Sequence, residues 1–167
     1  MDAKYRLEEI NLGMRQPEYE MYQDIPAKES GSTNLCNGIP FDVFPSFIES
    51  QMARKYQTIS PFDTPTAIYI FYVNDKPIGY AGLRLDIDKK WKRGSGNIFY
   101  AVRSSARGKG YGTALLDAML KEAKNHGIDE VLIQSSAGNI ASQKIIEKNG
   151  GKFLSEDEGT RYYKITI

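Results

Sequence analysis

Residues 107–113 read Arg107-Gly108-Lys109-Gly110-Tyr111-Gly112-Thr113, and they join a strand-like run to an amphipathic helix. The first amides of a helix have no partner within it, and the helix dipole places partial positive charge there. Glycines at this point let an anion approach the amides closely. Because Arg107 and Lys109 add positive charge, the segment predicts a phosphate-binding cradle.

Two common phosphate-binding patterns do not fit this cradle. The P-loop needs Gly-Lys-Ser or Gly-Lys-Thr, and neither occurs in the chain. The dinucleotide pattern G-x-G-x-x-G fails because Gly108, Gly110 and Gly112 are evenly spaced, and no acidic residue follows the next strand, Val131–Ile133. A nucleoside triphosphatase and a Rossmann domain are therefore not favoured.

The hydrophobic pattern on either side of the cradle changes period. Alternating and β-branched runs predict strands, and apolar residues at intervals of three and four predict helices. Asn139 is expected to cap the second of these helices, and Gly127 to end the first. The predicted strands are Ala67–Val73, Ile78–Ile87, Asn97–Val102, Val131–Ile133, Phe153–Leu154 and Tyr162–Ile167, and the predicted helices are Thr113–His126 and Ile140–Lys148.

The first third of the chain carries weaker patterns. Residues 4–10 predict a strand, Pro17–Glu29 and Phe41–Tyr56 predict two helices, and Ser30–Asn34 predicts a loop between them. The order of elements is an antiparallel meander followed by strand, helix, strand, helix and strands. This order predicts an α+β or mixed α/β fold in which helices cover a sheet.

Composition limits the classes of function. The 167 residues fit one domain, and 22 basic against 21 acidic residues give a net charge of +1, which does not favour nucleic acid or an anionic membrane as partner. A basic stretch from Lys89 to Lys109 contains no acidic residue. One Cys and one His, Cys36 and His126, favour neither a disulfide nor a zinc site. With no apolar signal or spanning segment, we expect a cytoplasmic protein without a metal.

Two motifs carry a family resemblance. The pattern R-x-x-G-x-G is formed by Arg107, Gly110 and Gly112. About thirty residues later, in the segment Gly138–Gly151, an Asn opens a predicted helix that ends in Glu-Lys-x-Gly. Together they resemble the GNAT superfamily of N-acetyltransferases, within it a bacterial branch of acetyltransferases without assigned substrates. The similarity covers roughly Pro77–Ile167, and the first seventy residues match only in the order of predicted elements.

The resemblance implies a fold and a donor. The fold would be a mostly antiparallel twisted sheet of six to seven strands with about four helices, and two strands would splay apart to hold the cofactor. Residues 1–167 would form one domain, in which 1–65 supply the acceptor side and 66–167 the acyl-CoA-binding core. The implied activity is transfer of an acetyl group from acetyl-CoA to an amine of a small molecule, amino acid or protein. A homodimer is left open.

The resemblance also implies roles for residues. The cofactor would pair with backbone near Val102 and Arg103, the pyrophosphate would bind amides of the cradle, and Ser142 would face the thioester as the catalytic candidate. The implied cofactor-binding residues are Val102, Arg103, Arg107, Gly108, Lys109, Gly110, Tyr111, Gly112, Thr113, Asn139 and Ser142.

The sequence departs from the family pattern in the proton-transfer residues. The usual acidic Tyr, seven residues after Asn139, is Ile146, so Ser142, Tyr162 and Tyr163 stay as alternatives. The positions where a carboxylate base is common hold Gly96 and Asn97, so no base can be named. An amine of low pKa, or a water chain to a more distant acid such as Glu29, would remove the need for one. His126 is expected to cap a helix. These departures keep open a second hypothesis, a non-catalytic module that binds acyl-CoA.

The acceptor side is predicted from a concentration of aromatic residues. Most of them are expected to pack in the core, but their density allows an aromatic-lined pocket. They are Tyr19, Tyr22, Phe41, Phe44, Phe47 and Tyr56.

Overall fold

A computed structural model describes residues 2–30, 32–57, 64–86 and 96–167 of the chain. Along the chain come a strand, a helix, two strands, a helix, three strands, a helix, a strand, a helix and two strands. This order confirms the predicted mixed α+β fold. Residues 89–93 of the basic stretch, and the end of the predicted strand at Ile87, lie outside the described residues.

The first sheet contains four antiparallel strands in the order β1-β4-β5-β6. These are β1 (Tyr5–Glu9), β4 (Thr66–Val73), β5 (Lys76–Arg84) and β6 (Ile98–Val102). The predicted hairpin is confirmed: Asn74 and Asp75 adopt φ of 50° and 60°, which gives β4 and β5 a tight turn whose twist matches the strands. β4 is buried along its whole length.

The second sheet contains three antiparallel strands in the order β7-β9-β8. These are β7 (Glu130–Ser136), β8 (Lys152–Asp157) and β9 (Thr160–Thr166), with α3 (Tyr111–Asn125) before β7 and α4 (Ile140–Lys148) after it. Between the sheets, Asn97 N donates to Leu132 O at 2.6 Å, and Leu132 N donates to the Asn97 side chain at 2.8 Å. No ladder joins β6 to β7 in the described chain beyond this point, so the predicted splayed pair is confirmed.

The first third differs from its prediction. Helix α1 (Gln16–Gln23) ends well before Glu29, because Asp24 leaves helical geometry and Pro26 cannot continue the ladder. Residues Lys28–Glu29 (β2) pair instead with Ser32–Thr33 (β3), so the predicted loop contains a small hairpin. The second predicted helix is a 3-10 turn, Phe41–Val43, followed by α2 (Phe44–Ala53).

Alternation along β4 builds a core on each face of the first sheet. On one face, Phe71 and its odd-numbered neighbours on β4 form a core with Leu115 and Met119 of α3. On the other face, Ile70 and its even-numbered neighbours on β4 form a core with buried residues of α1, including Tyr22, and of α2. Helices therefore cover both faces of the sheet. No helix within the described ranges combines the length and apolarity needed to cross a membrane.

Candidate functional site

A cavity of about 500 Å³, here called the cradle cavity, lies at the end of β6. It lies between the end of β6, the start of α3 and the first turns of α4. Its lining includes Val102, Arg107, Gly108, Gly110, Tyr111, Gly112, Thr113, Asn139 and Ser142, all of which the sequence predicted as site residues.

The glycines of the cradle are shaped as predicted for anion binding. Gly108 and Gly110 adopt φ of +75° and +81°, and a Cβ built on either would meet no atom within 4 Å, so both point to open space. Gly110 is the N-cap of α3 and no side chain of the described residues caps this terminus. Gly112 has another role, because a Cβ there would lie 2.6 Å from Ile145 Cδ1. It lets α3 approach α4.

Arg107 is held by protein groups at the rim of this cavity. Its Nη1 and Nη2 atoms lie 2.6 Å from the two carboxylate oxygens of Glu29, and its Nε donates to Val102 O at 3.0 Å. Glu29, which the sequence suggested as a distant acid, therefore lies at the cavity and balances the charge of Arg107. Both side chains are about two-fifths exposed, so this pair is a weak source of stability.

Two predicted cofactor-binding residues lie outside the cavity lining. The Arg103 side chain binds Asp24, with Nε 2.8 Å from Oδ2, and its backbone amide donates to Ile78 O at 2.9 Å. Arg103 thus ties α1 to the sheet. The Lys109 side chain is exposed to solvent. The positively charged residues that line the cavity are Arg107, which pairs with Glu29, and Lys144 and Lys148 of α4.

Ser142 forms a hydroxyl pair with a residue that the sequence reading missed, Tyr100. Asn139 caps α4 as predicted by accepting a hydrogen bond from Ser142 N at 3.1 Å, which fixes the first turn of the helix. The Ser142 Oγ atom then lies 3.0 Å from Tyr100 Oη. Burial raises the pKa of Tyr100 to about 12, although the hydrogen bond with Ser142 opposes this shift. Tyr100 therefore stays protonated near neutral pH.

The two other candidates for proton transfer, Tyr162 and Tyr163, do not line the cradle cavity, and neither does the position of the usual acidic Tyr. Ile146 is fully buried in the core. Tyr163 is also in the core, and Tyr162 lines a separate hollow beside β7 and β8. Tyr100 could have been found from strand alternation, because residues 98, 100 and 102 share a face of β6 and Val102 was already predicted to lie at the site.

A second cavity of about 980 Å³ adjoins the first and is here called the aromatic cleft. Seven residues line both cavities, so the two share part of their lining: Ser30, Ser32, Asn34, Tyr80, Tyr100, Asn139 and Ser142. The Tyr100–Ser142 pair therefore lies at their junction. The rest of the cleft is lined by aromatic rings, by hydroxyl groups and by three charged residues, Arg54, Arg84 and Glu158.

The predicted acceptor aromatics divide between the cleft, the core and the surface. Tyr22 and Phe47 line the cleft. Tyr19 and Phe41 pack edge-on behind them, and Phe44 is fully buried. Tyr56 is 81% exposed and does not line the cleft.

The remaining candidates have structural roles. Asn97 is buried, and its side-chain oxygen fastens β7 to β6 at the point where they diverge. The His126 Nδ1 atom lies 3.0 Å from Glu122 O at the end of α3, as expected for a helix cap. No group of three or more His, Cys, Asp or Glu in the described ranges could hold a metal ion.

Residues 38–151 match the model of the acetyltransferase (GNAT) family. No curated protein sequence matches the chain. Among solved structures, the GNAT domain of S. lividans PAT superposes with a TM-score of 0.70 at 12% identity, covering 98% of this chain and 90% of its own. The microcin C7 self immunity acetyltransferase MccE, solved with acetyl-CoA and AMP, gives 0.70 at 17% identity and covers 98% and 93%. Campylobacter jejuni N-acetyltransferase PseH, solved with acetyl coenzyme A, gives 0.65 at 13% and covers 98% and 99%. At these identities the likeness shows a shared fold.

Proposed function

Because the chain belongs to the GNAT acetyltransferase family, we propose that it transfers an acetyl group from acetyl-CoA to the primary amine of a small molecule, amino acid or protein. One observation carries the proposal: the two cavities adjoin, and a hydrogen-bonded hydroxyl pair lies in the lining that they share. The donor would occupy the cradle cavity and the acceptor the aromatic cleft. The acceptor site would then be lined by residues from both parts of the chain, 1–65 and 66–167.

The cradle fits the pyrophosphate of acetyl-CoA. Left-handed glycines with open space at Gly108 and Gly110 leave room for phosphate oxygens against the amides at the start of α3. Val102 and Ser142 would flank the arm that carries the thioester, and Asn139 would hold the first turn of α4 in place. When bound, acetyl-CoA supplies the activated acetyl group.

The hydroxyl pair can account for proton transfer without a carboxylate base. Transfer joins the acetyl carbon to the amine nitrogen and breaks the bond to sulfur, so nitrogen loses one proton and sulfur gains one. A thiol has a pKa of about 8.5, whereas that of Tyr100 is about 12. Tyr100 is therefore too weak an acid to give up its own proton alone. We infer that Tyr100 and Ser142 relay the amine proton to sulfur.

The departures from the family pattern favour one alternative, a module that binds acyl-CoA without turnover. Ile146 lies in the core, where it cannot act as an acid, and Gly96 and Asn97 carry no carboxylate. Release of free CoA thiol in the presence of a panel of amines distinguishes the enzyme from the module. Thermal stabilisation by acetyl-CoA without thiol release from any amine would favour the module.

The donor half of the proposal is tested by ligand-induced stabilisation and one matched pair of variants. Acetyl-CoA at 100 times its Kd is expected to stabilise the chain by about 2.7 kcal/mol, or roughly 5–10 °C in Tm. Gly110→Leu should abolish this shift, because its side chain would fill the space in front of the amides.

The control is Gly127→Leu, at the end of α3. Gly127 has φ of +76°, close to that of Gly110, and a Cβ there also meets nothing within 4 Å. Both variants carry the same left-handed strain, about 1–2 kcal/mol, but only Gly110 lines the cradle cavity. An equal acetyl-CoA shift in both variants would remove the cradle from the proposed function.

A further inference from the structure

Two arginines lie together in the lining of the aromatic cleft. The guanidinium carbons of Arg54 and Arg84 lie 5.9 and 4.8 Å from the centre of the same ring, that of Phe99. That ring is fixed in place because it packs on Gly82, where a Cβ would come within 2.1 Å of it. Two cations are thus held beside one aromatic ring that itself lines the cleft.

Arg54 has unused capacity to bind an anion. It follows the last residue of α2, and the one hydrogen bond from its guanidinium in the described chain goes to Gln51 Oε1 at 3.1 Å. A guanidinium has five N–H donors, and no carboxylate of the described residues forms an ion pair with Arg54. The side chain is partly buried. Such a cation gains most from a partner that arrives with a ligand.

Arg84 adds a second positive charge at the same place. Its Nη1 atom donates to Gly96 O at 3.0 Å, which holds the side chain against the start of β6. Glu158, in the turn between β8 and β9, is the one carboxylate among the described residues that line the cleft. The lining thus carries more positive than negative charge. The charge of Arg54 also reaches Tyr80, where it opposes the rise of the pKa to about 12 that burial causes.

We propose that the acceptor is a primary amine that carries a carboxylate, and that Arg54 and Arg84 bind this carboxylate in the aromatic cleft. The inference rests on the proposed acetyl transfer and narrows its acceptor class to amino-acid-like compounds. The planar guanidinium fork matches a carboxylate with two parallel hydrogen bonds. Binding the acid group beside Phe99 leaves the amine to reach the Tyr100–Ser142 junction.

Matched substrate pairs test the proposal. Rates of thiol release are measured with acetyl-CoA and L-tyrosine against tyramine, L-histidine against histamine, and each of the other amino acids against its amide. Phosphoethanolamine against ethanolamine tests phosphate as the anion. We expect kcat/KM for at least one carboxylate-bearing amine to exceed that of its partner by about 10- to 100-fold, as one or two charge-assisted hydrogen bonds give.

The variants are Arg54→Gln, Arg54→Lys and the control Lys55→Gln. Lys55 is the adjacent cation, but it binds Glu9 at 2.7 Å and does not line the cleft. Arg54→Gln should remove most of the preference for the acid, because the rate with the acid should fall far more than the rate with its neutral partner. Arg54→Lys should restore part of it, because the charge returns without the fork. Lys55→Gln should keep the preference.

The outcomes separate this inference from the proposed function. Equal rates for acid and neutral partner in the wild type, an equal loss for both in Arg54→Gln, or a preference for phosphoethanolamine alone would overturn the carboxylate assignment while acetyl transfer stands. If acetyl-CoA stabilises the chain and no carboxylate-bearing amine is acetylated, the assignment is also wrong. If acetyl-CoA neither stabilises the chain nor releases thiol, the proposed function fails and takes this inference with it.

Discussion

Replacing Tyr100 by Phe tests the proposed proton relay most directly, because the change removes one hydroxyl and keeps the ring. The Tyr100 ring packs against the core beside α3, so its volume should be retained. The hydroxyl that is lost lies 3.0 Å from Ser142 Oγ, at the junction of the two cavities. Stability and rate should therefore respond very differently.

The two effects differ in size. A neutral hydrogen bond contributes about 1 kcal/mol to stability, which corresponds to roughly 2–4 °C in Tm for a domain of this size. Proton transfer by a positioned group contributes about 10²- to 10⁴-fold in rate. We expect Tyr100→Phe to lower kcat by about 100-fold or more at saturating acetyl-CoA, with a loss of only a few degrees in Tm.

The matched control is Tyr69→Phe. Tyr69 Oη also makes one side-chain hydrogen bond, to Glu122 Oε1 at 3.1 Å, but Tyr69 lies on β4 under α3 and lines neither cavity. It should lose a similar amount of Tm and keep its kcat. The assay is initial-rate thiol release with one accepted amine, alongside thermal unfolding with and without acetyl-CoA.

A second variant, Ser142→Ala, tells whether the pair acts as a unit. Groups in one relay are not additive, so the double variant should be about as slow as the slower single variant. If Tyr100→Phe keeps kcat within about twofold of the wild type while acetyl-CoA still binds, the relay is wrong. If Tyr69→Phe loses as much rate as Tyr100→Phe, the effect comes from the fold and not from the junction.

Two further predictions concern stability. Asn97→Leu removes the side-chain oxygen that accepts a hydrogen bond from the Leu132 amide at 2.8 Å, at the point where the sheets diverge. An unpaired buried amide costs about 1–3 kcal/mol, so Tm should fall by roughly 2–10 °C. A fall in Tm of less than about 1 °C would contradict this role of Asn97. Burial raises the pKa of Tyr80 and of Tyr100 to about 12, above the unfolded value of about 10, so the native state binds more protons between these pH values. Their contribution to stability should be constant below about pH 10 and be lost towards pH 12, with a smaller loss in Tyr100→Phe, and a Tm that rises over this range would refute the argument.

Local patterns predicted the second half of the fold because local rules decide it. The helix at residues 113–126 was expected from its apolar spacing, and α3 buries Leu115, Leu116 and Met119 as that spacing requires. Asn139 was expected to cap α4 and does so. The first third was read less well, because α1 has a weak apolar pattern and its end at Gln23 depends on Asn34 and on the small β2–β3 hairpin.

Most of the cradle cavity lining was predictable from spacing, whereas the pairing of Tyr100 with Ser142 was not. Most residues predicted for the cradle line the cradle cavity, because glycines and a helix start are close together in sequence. Tyr100 and Ser142 are 42 residues apart and meet only when β6 packs beside α4. Glu29 and Arg107 are 78 residues apart and pair for the same reason. Contacts across elements of this kind have no local signature.

The orientation of α4 explains why a hydroxyl from the neighbouring strand matters in this chain. Ile146 is fully buried in the core, so the helix turns that position away from the cavity, while Ser142, one turn earlier, faces it. Two hydroxyl groups then pair at the junction, one from the first turn of α4 and one from β6. Tyr100 lies on β6, and the divergence of β6 from β7 beyond the Asn97 contacts leaves room for the cleft beside it. The proposed proton path therefore depends on the same separation of strands that opens the cleft.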